Sequence, residues 1–197
     1  MASCGRGCGR ARGARAYGSE GVAGHGTSIV VRRSPLSPTR GILRLGPLAI
    51  PCALGRSGTT ARKREGDGAT PLGCHRVLSG AARRDRWRMV PPSPLPLPAI
   101  HASDGWCDAP ADPAYNRPVR LPHRSSAERM RRDDRLYDAV VVLDFNVIER
   151  VRGRGSAIFF HVSNPGMPPT EGCIALSPQA MRTVLPHLRR GRRLVVI

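Results

Sequence analysis

Between residues 158 and 177 the chain carries a histidine and a cysteine that can do chemistry together. The stretch begins Ile158-Phe159-Phe160-His161-Val162, passes through Ser163-Asn164-Pro165-Gly166-Met167-Pro168-Pro169, and continues Thr170-Glu171-Gly172-Cys173-Ile174-Ala175-Leu176-Ser177. A neighbouring imidazole can take the proton of Cys173, and the thiolate then attacks a carbonyl carbon, so these residue types suggest acyl transfer without a metal. Gly172 lets a substrate backbone come close, and its N–H together with that of Cys173 suits a developing oxyanion. Thr170 is in range to orient the histidine. The plain alternative is that Cys173 is a small buried residue and His161 a satisfied core histidine.

Two strands are needed to hold such a pair. The apolar run 157–162 predicts one, the Pro- and Gly-rich segment after it turns the chain back, and 173–176 predicts the return strand. Antiparallel pairing across that loop is the expectation, and it brings His161 close to Cys173. Alternation then puts Ile174 and Leu176 with Phe160 and Val162 on a core face. Cys173 and Ala175 join Phe159 and His161 on the other face, the floor of a shallow cleft.

The pattern of a histidine, a loop and then Thr170, Gly172, Cys173 and Ile174 resembles the signature of the L,D-transpeptidase catalytic domain (YkuD) family. Ala69-Thr70-Pro71-Leu72-Gly73 resembles that family's Thr-Pro-x-Gly segment, and Gly105-Trp106-Cys107-Asp108 and Tyr115-Asn116-Arg117-Pro118 resemble one subgroup. The resemblance covers about residues 41 to 197. It implies a mainly β fold, a sandwich or barrel with one or two short helices. It also implies a cysteine that takes an acyl group from a peptidoglycan stem peptide and passes it to an amine, at the bacterial cell envelope. Carried over residue by residue, Cys173 is the nucleophile, His161 the base, and Gly172 and Thr170 the supporting positions. Many members have an arginine two residues after the cysteine, where this chain has Ala175, so a substrate-carboxylate contact made there is missing or supplied by another residue. The loop from Val162 to Pro169 is short beside many members, which leaves the cleft more open. A hydrolase that passes the same thioester to water is the nearest rival.

The charge raises a rival of another kind. The net charge is +18 and the pI about 11.5, which fits nucleic acid or an anionic polymer, yet Lys63 is the only lysine among the 32 basic residues. The charge is spread along the chain, aromatics are 4% of it, and no recognition motif accompanies them, so a nucleic-acid-binding protein is only a remote reading. Cysteines stand at 4, 8, 52, 74, 107 and 173 with no Cys-x-x-Cys pair and no histidine spacing typical of zinc, so no metal site and no other cofactor are expected. An even count permits a disulfide between two of Cys52, Cys74 and Cys107 in an oxidising compartment. A monomer is expected.

Along the chain, residues 1–40 are rich in Gly, Arg and Ser and predict a disordered tail, with the folded domain at 41–197. No signal peptide or membrane span is visible. Residues 42–45 and 48–50 read as two strands around Gly46-Pro47, and 74–78 as another. The loop 56–68, with Arg62, Lys63 and Arg64, is either solvated or a cleft rim that attracts carboxylates. Residues 91–98 predict an extended connector that crosses without packing. Residues 104–118 predict a Pro-broken loop in which Trp106, Tyr115 and Asn116, with Phe159 nearby, wall the substrate site; the alternative is that Trp106 and Tyr115 plug it onto the core. A helix capped by Ser126 is predicted over 126–135 with a solvated face. Residues 137–145 predict a central strand. A helix is predicted after Ser177-Pro178, kinked by Pro186 and stopped by Gly191, and a strand over 194–197.

Overall fold

A computed structural model describes residues 28–87 and 89–197. The chain is mainly β. It opens with β1 (Ile29–Ser34), β2 (Ser37–Leu45) and β3 (Leu48–Ala53), then two short paired strands, β4 (Thr59–Thr60) and β5 (Thr70–Pro71), and the long β6 (Gly73–Ala82). After these come β7 (Asp104–Cys107), β8 (Arg117–Arg120), β9 (Ala127–Arg129), β10 (Ala139–Leu143), β11 (Phe159–Val162) and β12 (Ile174–Leu176). Helix α1 (Pro178–Val184), a 3-10 turn (Leu185–His187) and β13 (Arg193–Val196) end it. Eight strands close a barrel in the order β1-β13-β6-β10-β11-β12-β3-β2, and β8-β7-β9 form a separate three-stranded lobe.

The folded domain begins earlier than composition suggests. Residues 1–27 lie outside the described residues, but 28–40 belong to the barrel and not to a tail. Ile29 and Val31 are fully buried, pairing in parallel with Leu194 and Val196, while Val30 and Val31 pair antiparallel with Arg44 and Leu43. The apolar run Ile29-Val30-Val31 is too short, and too closely followed by Arg32 and Arg33, to stand out locally; its partner β13 is the last strand of the chain.

Alternation explains how the barrel separates two cores. Val141, Leu143, Phe160, Val162, Ile174 and Leu176 face one hydrophobic cluster with Ile29, Leu43 and Leu194. Val140, Val142, Phe159 and Cys173 face a second, where Trp106, Met130 and Tyr137 cover them. β10 is thus buried on both faces, which is why it reads as a continuous apolar run. Its neighbours are β6 on one side and β11 on the other, both antiparallel.

Four expectations need correction. β11 and β12 pair in parallel, with Phe160 opposite Ile174 and His161 opposite Ala175. The loop between them does not turn tightly; it runs back to β3, where the Thr170 amide donates to Leu54 O at 2.9 Å and Thr170 O accepts from Arg56 N at 2.7 Å. The chain then re-enters in its original direction. Face assignment survives because side-chain period is the same in either direction. Residues 126–135 form β9 and turns in place of a helix, because backbone pairing of Ala127, Glu128 and Arg129 with Cys107, Trp106 and Gly105 outweighs a modest propensity over so short a segment. Residues 104–118 hold β7 and the start of β8. The 91–98 connector packs after all: Leu95 and Leu97 are buried in the first core, over Gly80, where a Cβ would come within 2.5 Å of Leu97.

The predicted start of the C-terminal helix and the closing strand hold, but the helix ends at Val184 and a 3-10 turn takes in Pro186, so it is not a kinked helix running to Gly191. Ser177 Oγ accepts from Ala180 N at 3.2 Å, Pro178 opens the helix, and Met181, Val184, Leu185 and Leu188 are buried in the first core. Pro186 falls in the 3-10 turn, where the α-helix ends. Among the described residues no helix is long and apolar enough to cross a membrane. Cys52, Cys74, Cys107 and Cys173 are all free thiols.

Candidate active site

Cys173 stands one residue before β12, level with Phe159, on the face that carries His161. Its sulfur donates to Ala157 O at 3.2 Å and accepts from Phe159 N at 3.4 Å. Burial pushes the thiol up to about 12, and the charge of Glu128 adds to the shift. His161 is buried too, and its Nδ1 lies 2.7 Å from Val162 O. A carbonyl oxygen only accepts, so Nδ1 carries the proton and Nε2 keeps its lone pair. Burial lowers His161 to about 4. At neutral pH the pair therefore rests as thiol and neutral imidazole, the form that burial favours for both groups.

Tyr137 holds the ring of His161. The two rings meet edge to face at 5.4 Å, and Tyr137 makes a similar contact with Phe159 at 5.7 Å. The Tyr137 hydroxyl donates to Glu128 Oε1 at 2.6 Å, and Arg132 stands 3.3 Å from the same oxygen. Burial raises the Glu128 carboxyl above its usual range. So the segment 126–135, expected from sequence to be a solvated helix, brings the Glu128 carboxyl from β9 and the Arg132 guanidinium just beyond it to the cavity that holds Cys173.

The Thr170–Cys173 turn is built by side-chain bonds to backbone. Thr170 Oγ1 donates to Cys173 O at 2.6 Å and accepts from Gly172 N at 3.2 Å. Thr170 therefore shapes the turn into Cys173 and does not orient His161, and the Gly172 N–H is committed to Thr170 instead of pointing at an oxyanion. Glycine is required at 172 for two reasons. Its φ is +129°, and a Cβ would lie 2.9 Å from Ala69 O. The Thr70 of the earlier motif backs the same turn: Thr70 Oγ1 accepts from Gly55 N at 2.8 Å and donates to Cys173 O at 3.4 Å.

Cys173, His161, Thr170 and Ala175 line one cavity of about 670 Å³. Its wall adds Lys63 and Glu65 from the 56–68 loop, Asp108, Glu128, Arg129 and Arg132 from the lobe and the segments beside it, and Tyr137. Charges of both signs line it, which suits a zwitterionic peptide better than a polyanion. Lys63, the rim lysine, is itself buried and tied to Asp67 and to Arg64 O at 3.0 Å. One carboxylate oxygen of Asp108 is buried with no hydrogen-bond partner among the described residues. Glu128, Tyr137 and Asp108 were not readable as site residues, because nothing in their local pattern says that lobe and barrel meet there.

The residues expected to wall the substrate site sit behind it. Trp106, Tyr115, Asn116 and Phe159 are buried, and none lines the cavity. Trp106 packs edge to face on Phe159 at 5.1 Å, and the Tyr115 hydroxyl donates to Glu65. Asn116 is a hub. Its Oδ1 accepts from Trp106 Nε1 at 2.9 Å and Ala157 N at 3.0 Å, and its Nδ2 donates to Phe145 O at 3.2 Å and Asn146 O at 2.8 Å. Through Ala157, whose carbonyl accepts from Cys173, it sets the approach to the nucleophile.

Asn116 also adopts φ +56°, a backbone region that asparagine enters at lower cost than alanine. Asn116→Ala is expected to lower stability by about 2–4 kcal/mol in urea unfolding, since it strands buried partners and adds strain. A loss below about 1 kcal/mol would show that water or a shifted neighbour replaces the hub.

A family model for the L,D-transpeptidase catalytic domain matches residues 43–197. Among solved structures, the chain is similar to L,D-transpeptidase 1 from Mycobacterium tuberculosis, at 14% sequence identity and a TM-score of 0.37. That alignment takes in 86% of this chain, which spans 61% of the length of the other. No curated protein matches.

Proposed function

The chain belongs to the L,D-transpeptidase catalytic domain (YkuD) family, and from that membership we propose that it is a cysteine acyltransferase acting on peptidoglycan stem peptides at the cell envelope. The observation that carries the reading is that Cys173 and His161, whose Nδ1 lies against Val162 O, line one cavity. In the forward step His161 Nε2 takes the Cys173 proton as sulfur bonds to the donor's carbonyl carbon. With the thiol near 12 and the imidazole near 4, that transfer is uphill alone and must accompany attack, while the oxyanion charge develops. Since Gly172 N–H is engaged by Thr170, the Cys173 amide is the remaining candidate of the two to meet that charge.

Collapse of the adduct breaks the C–N bond. The leaving amine takes the proton from His161, whose low pKa makes it a strong acid once charged. The thioester is then attacked by an acceptor amine, the C–S bond breaks, and the proton returns through His161 to sulfur. Asp108 and Glu128 are the groups suited to an acceptor ammonium. With Ala175 in place of the arginine common in the family, Arg129 on the cleft rim is suited to the donor carboxylate, as Arg132 is occupied by Glu128 and Asp134.

The test is product analysis with a tetrapeptide donor. Without acceptor, intact-mass measurement is expected to show an acyl adduct on Cys173 and release of the terminal residue. Added diamino-acid acceptor should convert that adduct into a cross-linked peptide. Formation of free tripeptide alone, whatever the acceptor concentration, would make the protein a hydrolase, and no adduct with any donor or with a carbapenem would reject the acyl-enzyme.

A further inference from the structure

Apart from the cleft, the lobe brings together three ligand atoms of different kinds. The sulfur of Cys107 at the end of β7, a carboxylate oxygen of Asp112 in the following turn and a ring nitrogen of His123 after β8 all lie within 4.8 Å of one another. None of the three residues lines the cleft. His123 Nε2 is buried and makes no hydrogen bond among the described residues, although Asp112 Oδ2 is 3.4 Å away. If that nitrogen carries its lone pair, two acceptors face each other across this gap. A cation or a proton must lie between them. Donor atoms around a tetrahedral zinc ion, at about 2.0–2.3 Å from it, stand about 3.3–3.8 Å apart, which is the spacing of this pair.

The surroundings favour a metal over a loose ion pair. Asp112 is held rigidly: Ser125 Oγ donates to Oδ2 at 2.6 Å and Ala114 N to Oδ1 at 2.7 Å. Hydrogen bonds of this kind orient a ligating carboxylate. They also keep it well below the usual carboxylate range, while burial and the nearby acidic charges raise the Cys107 thiol.

We propose that Cys107, Asp112 and His123 form a binding site for a divalent transition-metal ion of the zinc type, which clamps the β7–β8–β9 lobe over the cleft. On binding, the Cys107 thiol loses its proton to solvent and its thiolate bonds to the metal. The His123 lone pair and the Asp112 carboxylate complete three positions, and water takes the fourth. Two anionic ligands balance the charge of the ion, so Arg124, 3.3 Å from Asp112 Oδ2, faces a neutral centre. A sulfur, nitrogen and oxygen set selects zinc or cobalt over magnesium or calcium. The ion is structural: it fixes the elements that carry Asp108, Glu128 and Arg129 into the cleft.

The sequence spacing of 107, 112 and 123 belongs to no standard zinc motif, which is why it gave no expectation of a metal. The experiment uses the full chain with Cys4, Cys8 and Cys74 changed to Ser and Cys173 to Ala, so that the only thiols left are Cys107 and Cys52, which is buried in the first core. Added Co²⁺ should give a thiolate-to-cobalt charge-transfer band and the strong visible bands of tetrahedral cobalt, at one ion per chain, displaced by Zn²⁺. Cys107→Ser should remove the charge-transfer band, and His123→Gln should weaken binding by at least about tenfold. Absence of the band, or an unchanged band after Cys107→Ser, overturns the site. Should Cys107→Ser fail to fold, His123→Gln decides alone, because His123 is partly exposed; an unchanged Co²⁺ affinity there overturns it equally. The readout does not involve Cys173, so it succeeds or fails independently of the acyl-enzyme.

Discussion

Cys173→Ala is expected to abolish acyl-enzyme formation while leaving the barrel folded. The change removes one sulfur whose two hydrogen bonds, at 3.2 and 3.4 Å, are weak ones to main-chain groups. The face that loses it is otherwise packed by Phe159, Tyr137 and Trp106, so the cost in stability should be about 1 kcal/mol or less. Incubation with a tetrapeptide donor, followed by intact-mass measurement and a thermal melt, checks both halves at once. An alanine variant that still gains the acyl mass would move the nucleophile elsewhere. The remaining described cysteines make the control sharp: Cys52 is buried in the first core with its thiol pushed up to about 12, and neither it, Cys74 nor Cys107 lines the cleft. Replacing Cys52 or Cys74 should leave the adduct in place.

His161→Gln should slow acylation at neutral pH by about a hundredfold or more, the usual range for losing a positioned base. The shape of the pH profile says more than the size of the loss. An ordinary histidine would switch acylation on through its reference pKa of about 6.5. Burial has moved His161 to about 4, so the parent enzyme should already be near its plateau at pH 6 and should lose activity only as pH falls through about 4 and the ring becomes charged. In the variant the thiolate must form unaided from a thiol near 12, so the rate should keep rising with pH well past the range of a free cysteine. A parent profile with its midpoint near 6.5, or a variant that matches the parent, would contradict the assignment; His123 and His101 do not line the cavity and are poor substitutes.

The same depressed pKa carries a stability consequence. The unfolded chain binds a proton on this histidine below about 6.5, whereas the folded protein resists doing so until about 4. Stability contributed by the neutral ring is therefore whole above the unfolded pKa and is lost as pH falls through the folded one. The loss is on the order of 3 kcal/mol, and His161→Gln should flatten that part of the acid-unfolding curve.

Local periodicity and residue type already determined a good deal. Alternation along 158–162 and 173–176 fixed which side chains share the cleft face, the unbroken apolar run at 139–143 marked a strand buried on both sides, and Ser177-Pro178 fixed the start of α1. These survive because they depend on neighbours within a few residues. The direction of β12 was not legible, since a side-chain period of two is the same for a strand run either way, and only the Thr170 bonds to Leu54 and Arg56 show the chain doubling back. The first strand escaped notice because Ile29 and Val31 are buried by β13, at the far end of the chain. The residues around the nucleophile depended on the lobe. Glu128 reaches Tyr137, and through it the ring of His161, because β9 pairs with β7, and Asn116 left the substrate wall to become a hub because its partners come from three separate segments. The state of the catalytic pair was likewise a tertiary matter. Residue type supplies a base and a nucleophile, but the burial that holds both neutral is produced by everything packed around them.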